Sequence, residues 1–531
     1  MIPRMHIDGD AKSALLSADF VLLRYETEYT PCTGITTVTK QERRHFARGV
    51  MVAPWCGRMK EAAAALRSGQ VRRAGSFSDG ERKFRVLVTA DGRAPVLYLE
   101  NEGHFLGTES PYDTHDLKMD TLVFGVAVDT LVRAFCTARQ FVWGADWETV
   151  PALVRLRERH HVALTVHNTF DECLAKEAGQ FHGRYPALVE RGADHSYRTA
   201  LEVMMTLADV VTTVNRGFAH GLRHEPVQRD LMAAHLQPYL DRIVPINNGS
   251  FSALDTGLVE LARMLTEDFG QGAERLLLFK ADAMSRLPAE VAAKARGKVI
   301  VVTMGRRVAQ KQHDVFVESV RRVLRANRRF PLLALFTTVA GDGRSEARLQ
   351  RMKDLQEEFP ENVEVTDHRL GYYRDLMMAA DYLCMPSLYE PHGGAYEGIV
   401  VPIARAVDGL AEQICAFEPD DTVRPINRLW HSPAEPPTGI LFREPAADDD
   451  AADLRALLEQ SPSPNNRLFD RMVQSLELAL RRAARLRVNR FDTYVGLVRG
   501  TLARQMRQNW LLNLGGMLSL VEEARLKRPL F

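Results

Sequence analysis

The sequence predicts an α/β chain made of two doubly wound, Rossmann-like domains, and three observations carry that prediction. Short apolar runs rich in β-branched residues alternate with longer helical patterns, and the alternation starts afresh after about residue 298. The chain's 531 residues suffice for two or three domains with sizeable cores.

In the first half the strand runs are Phe20-Val21-Leu22-Leu23, Val96-Leu97-Tyr98-Leu99, Val162-Ala163-Leu164-Thr165-Val166 and Val210-Val211-Thr212-Thr213-Val214. Helical patterns between such runs make βαβ units and a largely parallel sheet. The second half opens on Val299-Ile300-Val301-Val302. A helix follows, with Phe316, Val320, Val323 and Leu324 on one face. A strand from Leu332 to Val339 ends at Ala340-Gly341-Asp342-Gly343; a charged helix, the short Val363-Glu364-Val365 and the strand Tyr382-Leu383-Cys384-Met385 come next. The Ala- and Lys/Arg-rich stretch 272–297 separates the two patterns, so the expected domains are 1–290 and 298–490, with C-terminal helices over 491–531. Asp448-Asp449-Asp450 reads as a solvated helix start, and a Ser-Pro-Ser-Pro-Asn-Asn stretch occupies 461–466.

Composition narrows the partners. Lys+Arg number 69 against 68 Asp+Glu, a net charge of +1, so no global field attracts nucleic acid or an anionic membrane. The six cysteines (Cys32, Cys56, Cys136, Cys173, Cys384, Cys415) lack zinc spacing and disulfide density, and read as core thiols of a reducing compartment. With no apolar leader and no run of 18 apolar residues, the expectation is a soluble, cytoplasmic protein without membrane insertion. A homo-oligomer is left open.

Doubly wound sheets bind ligands at the carboxyl ends of their strands, so chemistry is sought there. Met304-Gly305-Arg306-Arg307-Val308-Ala309-Gln310-Lys311-Gln312 follows the strand that opens the second domain. Two cations five residues apart at a strand end can bracket a diphosphate, Arg as a fork and Lys as a point charge, or can be plain surface charges. In Met385-Pro386-Ser387-Leu388-Tyr389-Glu390-Pro391-His392-Gly393-Gly394, a strand gives way to a carboxylate and two glycines that lead toward an expected helix. Its free N–H groups would favour an anion, whereas the carboxylate suits sugar hydroxyls.

The two motifs, about 80 residues apart in one βαβα domain, together resemble the signature of the bacterial glycogen and plant starch synthases, retaining glycosyltransferases of the GT-B type. In that family R-L-x-x-Q-K-G supplies the Arg and Lys that hold the donor's pyrophosphate, and P-S-x-x-E-P-C-G-L supplies a Glu against the donor sugar. Arg306, Lys311 and Glu390 fall at those positions. His167-Asn168 matches the family's H-N pair and Ala145-Asp146-Trp147 its H-D-W. Ala208 to Asn215 is similar to A-D-x-V-T-T-V-S, Ile246-Asn247-Asn248-Gly249 to I-x-N-G, Gly341-Asp342-Gly343 to G-x-G, and Thr438-Gly439-Ile440-Leu441-Phe442 to T-G-x-x-F.

The resemblance implies a GT-B fold with two domains facing a central cleft and C-terminal helices crossing back to the N-terminal, acceptor-side domain. It implies transfer of glucose from a nucleotide sugar, ADP-glucose or UDP-glucose, to an α-glucan, with no cofactor and no obligatory metal. His167, Arg306, Lys311 and Glu390 are the implied catalytic set; Gly34, Asn248, Gly305, Tyr389, His392, Gly393 and Gly394 are the implied donor contacts. A small-molecule, lipid or protein acceptor, and a non-catalytic glucan-binding or regulatory homologue, are the alternatives.

Five departures stand out. The family's K-x-G-G-L turn is replaced by Pro31-Cys32-Thr33-Gly34-Ile35, with one glycine and no lysine, and the histidine of H-D-W is missing. His392 stands where Cys is common. The stretch from Glu390 to Pro402 is shorter by about four residues, roughly one helical turn, so the helix expected to cover the donor must be reshaped. Glu397 lies seven positions after Glu390 where related transferases keep eight, and it is left unassigned.

Overall fold

The computed structural model describes residues 5–30, 34–46, 48–91, 93–108, 110–136, 140–169, 199–251, 254–368, 370–447, 450–459 and 465–528. Cys32, Cys173, Asp448, Asp449 and most of the Ser-Pro stretch lie outside them. The chain divides into two compact units. The first comprises residues up to 223, 228–249 and from 510 onward; the second comprises 224–227 and 250–509.

The first unit carries strands β1 (His6–Ile7), β2 (Phe20–Leu23), β3 (Gly49–Pro54), β4 (Val71–Ser78), β5 (Lys83–Thr89), β6 (Val96–Glu100), β7 (Phe141–Ala145), β8 (His161–Val166), β9 (Val210–Thr213) and β10 (Ile243–Pro245). They form one sheet in the order β1-β4-β5-β6-β3-β2-β7-β8-β9-β10. From β6 to β10 every pair is parallel, whereas β1, β4 and β5 add an antiparallel flank. The parallel strands are almost wholly apolar because helices cover both faces, as buried parallel sheets require.

The second unit carries β11 (Val299–Arg306), β12 (Leu332–Val339), β13 (Val363–Thr366), β14 (Tyr382–Met385), β15 (Val401–Arg405) and β16 (Ile440–Phe442), in the all-parallel order β13-β12-β11-β14-β15-β16. Relative to β11 this is the Rossmann order 3-2-1-4-5-6, and the parallel part of the first sheet runs the same way outward from β2. The strand order therefore reverses between β11 and β14 in one unit and between β2 and β7 in the other. Residues after those four strands occupy the switch points where such sheets take ligands.

The expected boundary near 290 moves to 249/250. The stretch 272–297, read as the boundary, folds into helices Phe269–Ser285 and Ala289–Ala295, which with Thr256–Glu267 belong to the second unit. Lys280 explains the shift: its buried ammonium donates to the carbonyls of Ala379 (3.3 Å) and Ala380 and lies 3.4 Å from the Asp381 carboxylate. Arg487 donates to that carboxylate at 2.8 Å.

The C-terminal segment also divides later than expected. Helix Phe491–Arg507 stays with the second unit, where Thr501 Oγ1 donates to Thr438 O at 2.9 Å. Only helix Trp510–Lys527 joins the first unit, adding Leu514, Met517, Val521 and Ala524 to its core. Trp510 lies on Gly249, where any Cβ would overlap the indole, so the glycine of the I-x-N-G segment serves this packing. Leu511 and Leu512 on this helix are exposed.

Candidate active site

In the second unit the site is built at the ends of β11 and β14. Gly305 turns the chain with φ +113°, and a Cβ there would meet only the Lys311 side chain, 3.8 Å from its Cε. Arg306 ends the strand exposed, and among the described residues its guanidinium has no partner. A 3₁₀ turn, Ala309–Lys311, carries the chain back over the strand end. Gln312 then closes it with φ +49°, a left-handed conformation disfavoured for residues bearing a Cβ. His313 follows, buried, its imidazole held down at about 3 chiefly by burial, so it adds no positive charge.

The turn is tied to the loop after β14. Leu388 N donates to Gln310 O (2.8 Å), and Gln310 Nε2 donates to Tyr389 O (3.1 Å). The Lys311 ammonium pairs with the Glu390 carboxylate, which also accepts from Ser387 Oγ at 3.1 Å. Lys311 keeps 26% of its side chain exposed and Glu390 10%, so the pair is reachable from one side. Burial pushes the Tyr389 hydroxyl up, Glu390 adds to that push, and the Arg306 charge opposes it, so Arg306 acts electrostatically on the same loop. The expected cations and carboxylate therefore share one strand-end site.

The expected helix after Gly393-Gly394 does not form. Residues 386–400 join β14 to β15 without regular structure. Gly393 (φ +73°) and Gly398 (φ +60°) are left-handed, which a right-handed helix cannot carry. A Cβ at Gly393 would stand 2.7 Å from Leu410 and 2.9 Å from Glu390 Cγ. Side chains meet the loop's backbone in place of helical bonds: Gln413 donates to His392 O and Gln505 to Gly398 O (3.0 Å). The Tyr396 hydroxyl donates to Gln413 O. The His392 ring tilts against Phe251 at 4.9 Å, and Gly394 faces the same ring. The aligned amides expected to favour a diphosphate are consequently not supplied by a helix start.

Three residues that the sequence reading left out of the site belong to it. Glu397 is hydrogen-bonded by Tyr373, whose hydroxyl lies 3.2 Å from Met304 Sδ on β11; burial raises the Glu397 pKa. Arg405, on β15, donates to Leu388 O (2.8 Å) and pairs with Glu444. Asp408 accepts from Glu390 N at 3.0 Å. The seven-residue spacing from Glu390 was the one available signal, and it pointed to Glu397.

In the first unit His167 follows β8, and Asp146 follows β7 with φ +56°. Asp146 Oδ1 accepts from His167 N (2.7 Å) and Asn168 N (3.3 Å), and Oδ2 lies 3.3 Å from His167 Nδ1, close but off hydrogen-bond geometry. Gly34 begins helix Gly34–His45. Near that helix start stands the Glu26 carboxylate, which accepts from Tyr112 (2.7 Å) and Thr36 (3.4 Å), while Glu28 pairs with Arg43 in the helix's last turn at 2.5 Å. Asn248 is buried, its N–H donating to Val214 O at 2.9 Å.

Among the described residues no group of three or more His, Cys, Asp or Glu side chains is placed to hold a metal ion, and no helix is long and apolar enough to cross a membrane. Cys56, Cys136, Cys384 and Cys415 are buried free thiols.

Two Rossmann-type units, the second with basic and acidic residues at its strand ends, are compatible with a GT-B glycosyltransferase, and comparison with known proteins points the same way. Residues 41–237 match the starch synthase catalytic domain and residues 298–408 match glycosyl transferases group 1. Each match covers less than half of the chain, and the two together make it a starch synthase-like hexosyltransferase of the GT-B type. No curated protein matches its sequence. Among solved structures it is similar to the catalytic domain of starch synthase IV from Arabidopsis thaliana, bound to ADP and acarbose (16% identity, 95% of this chain and 99% of that one, TM-score 0.67). It is also similar to sucrose-phosphate synthase from Thermosynechococcus elongatus (15%, 96% and 99%, 0.53). A third is an α,α-trehalose-phosphate synthase (UDP-forming) from Burkholderia vietnamiensis (10%, 96% and 100%, 0.54). At these identities the likeness is one of fold.

Proposed function

We propose that the chain transfers glucose from ADP-glucose or UDP-glucose to an α-glucan with retention of anomeric configuration. The observation that carries this reading is the strand-end group of Arg306, Lys311 and Glu390. Departure of a nucleoside diphosphate from an oxocarbenium-like sugar gathers negative charge on the leaving group, and an exposed guanidinium beside an ammonium stabilises it there. Lys311 pairs with Glu390; a diphosphate would take Lys311 over and release the Glu390 carboxylate to the sugar hydroxyls. His167, backed by Asp146, is assigned to orienting the sugar. Gly34, Asn248, Gly305, Tyr389, His392, Gly393 and Gly394 are assigned to donor contact. The Arabidopsis relative's complex with ADP and acarbose supports an adenine donor.

A small-molecule, lipid or protein acceptor is the second reading, favoured by the shortened connection from Glu390 to Pro402 and by the lysine missing before Gly34. A thermal-shift screen of nucleotide sugars, followed by NMR of the product, tests the proposal. The expected result is stabilisation by ADP-glucose or UDP-glucose, which grows with ligand concentration over Kd, and an α-linked product on glycogen. An inverted linkage, or no stabilisation by any nucleotide sugar, would overturn it.

A further inference from the structure

Asp408 carries two local penalties at one position. Its φ is +40°, a conformation for which glycine is suited and a residue with a Cβ is not. Its side chain is buried, and Oδ1 has no hydrogen-bond partner. What it provides in return is a grip on one residue. Oδ2 accepts from Glu390 N at 3.0 Å, while Gly409 N donates to Glu390 O at 3.1 Å, so residues 408 and 409 together hold both polar groups of the Glu390 main chain. Glycine at 408 would relieve the backbone but leave the Glu390 N–H without this acceptor.

The surrounding charges disfavour a carboxylate at this position. Facing Asp408 are Glu225, held by Arg443 through two 2.9 Å bonds, and Glu390 from the 386–400 loop. Arg405 on β15 also faces it, but its guanidinium is engaged by Glu444 and Leu388 O. The Tyr389 hydroxyl lies in the same field. Each of these charges is itself paired, Glu225 with Arg443, Glu390 with Lys311 and Arg405 with Glu444, and after burial the Glu225 field weighs most on Asp408.

We propose that Asp408 is a positioning residue for Glu390 and works as the neutral carboxylic acid, Oδ2 accepting the Glu390 N–H while the proton sits on Oδ1. Neutrality keeps a third negative charge away from Glu390, whose carboxylate then stays on the side of Lys311 and Ser387. The consequence for turnover rests on the assignment of Glu390 to the donor sugar; the protonation state does not. Burial and the Glu225 charge push the Asp408 pKa well above the carboxylate range. A group whose pKa is higher folded than unfolded favours folding most at pH below its unfolded value, 3.8. That contribution is lost as pH rises toward the folded value.

Two variants test this. Asp408→Asn keeps the acceptor and is neutral at every pH, whereas Asp408→Gly suits the backbone and removes the acceptor. In equilibrium unfolding across pH, the expected result is a Tm for Asp408→Asn that rises above wild type as pH increases from about 4, with little difference at lower pH. Parallel curves for the two proteins would overturn the neutral state, and this measurement needs no donor. In steady-state kinetics with ADP-glucose or UDP-glucose and glycogen, Asp408→Asn is expected within about threefold of wild type at neutral pH. Asp408→Gly is expected to lower kcat by roughly tenfold or more with KM little changed, as misplacement of a sugar-binding group does. Equal losses in both variants, or full kcat in Asp408→Gly, would overturn the positioning role. If wild type turns over no nucleotide sugar, the functional reading falls, and the unfolding curves still decide the charge on Asp408.

Discussion

Each unit sets an aspartate with a left-handed backbone beside a residue assigned to the donor, and the two aspartates are provisioned differently. Asp146 (φ +56°) accepts two main-chain N–H groups, from His167 and Asn168, and turns its second oxygen to within 3.3 Å of the His167 ring. Asp408 (φ +40°) accepts one main-chain N–H, from Glu390, and leaves its second oxygen unpartnered among carboxylates. The same device of a positive-φ backbone and a carboxyl gripping a neighbour's amide therefore stands in two different electrostatic settings. Beside an imidazole a negative charge is useful; beside another carboxylate it is not. Strain alone tells little about a residue's role until the partners of both oxygens are counted.

The largest effect expected from disturbing this arrangement is on the second unit. Lys311→Ala should lower kcat by about 10² to 10³ with little change in KM, because its interaction grows as the diphosphate leaves. Steady-state kinetics with a nucleotide sugar check this, and near-normal kcat would remove Lys311 from the chemistry. A smaller loss, about tenfold, is expected for Asp146→Asn, which keeps an acceptor for the His167 amide but loses the charge facing the ring. Its sharpest reading is against Asp408→Asn: if both substitutions are equally harmless or equally damaging, the contrast between the units fails.

The smallest effect concerns Gln312, which has φ +49° but a side chain whose main tie is a local bond to Ala309 O at 2.8 Å. Where the related synthases have glycine, this residue gains little for its strain. Gln312→Gly should leave kcat unchanged and shift stability by no more than about 1 kcal/mol, in the stabilising direction, by urea unfolding. A clear loss of stability would show that Gln312 has a function its contacts do not reveal.

Much of this was legible in the sequence because strand ends and motif spacings are local properties. The apolar runs at Val299 and Tyr382 mark β11 and β14, and the distance from Arg306 to Glu390 puts both at one sheet end. What escaped depends on tertiary environment. The glycines at 393 and 398 were visible, but the sign of their φ was not, so a helix was expected where an irregular loop forms. Lys280 looked like a linker charge, and only its burial against Asp381 assigns its helix to the second unit. Asp408 and Asp146 are ordinary aspartates in sequence, and their grip on Glu390 and His167 spans strands that only the folded sheet brings together.

The central claim is that Lys311 is held by Glu390 until a nucleoside diphosphate replaces it. Calorimetric titration of wild type and Glu390→Gln with ADP and with UDP tests this directly. Removing the competing carboxylate charge should make the nucleotide that wild type prefers bind severalfold more tightly to Glu390→Gln. Equal or weaker binding by Glu390→Gln would contradict the account.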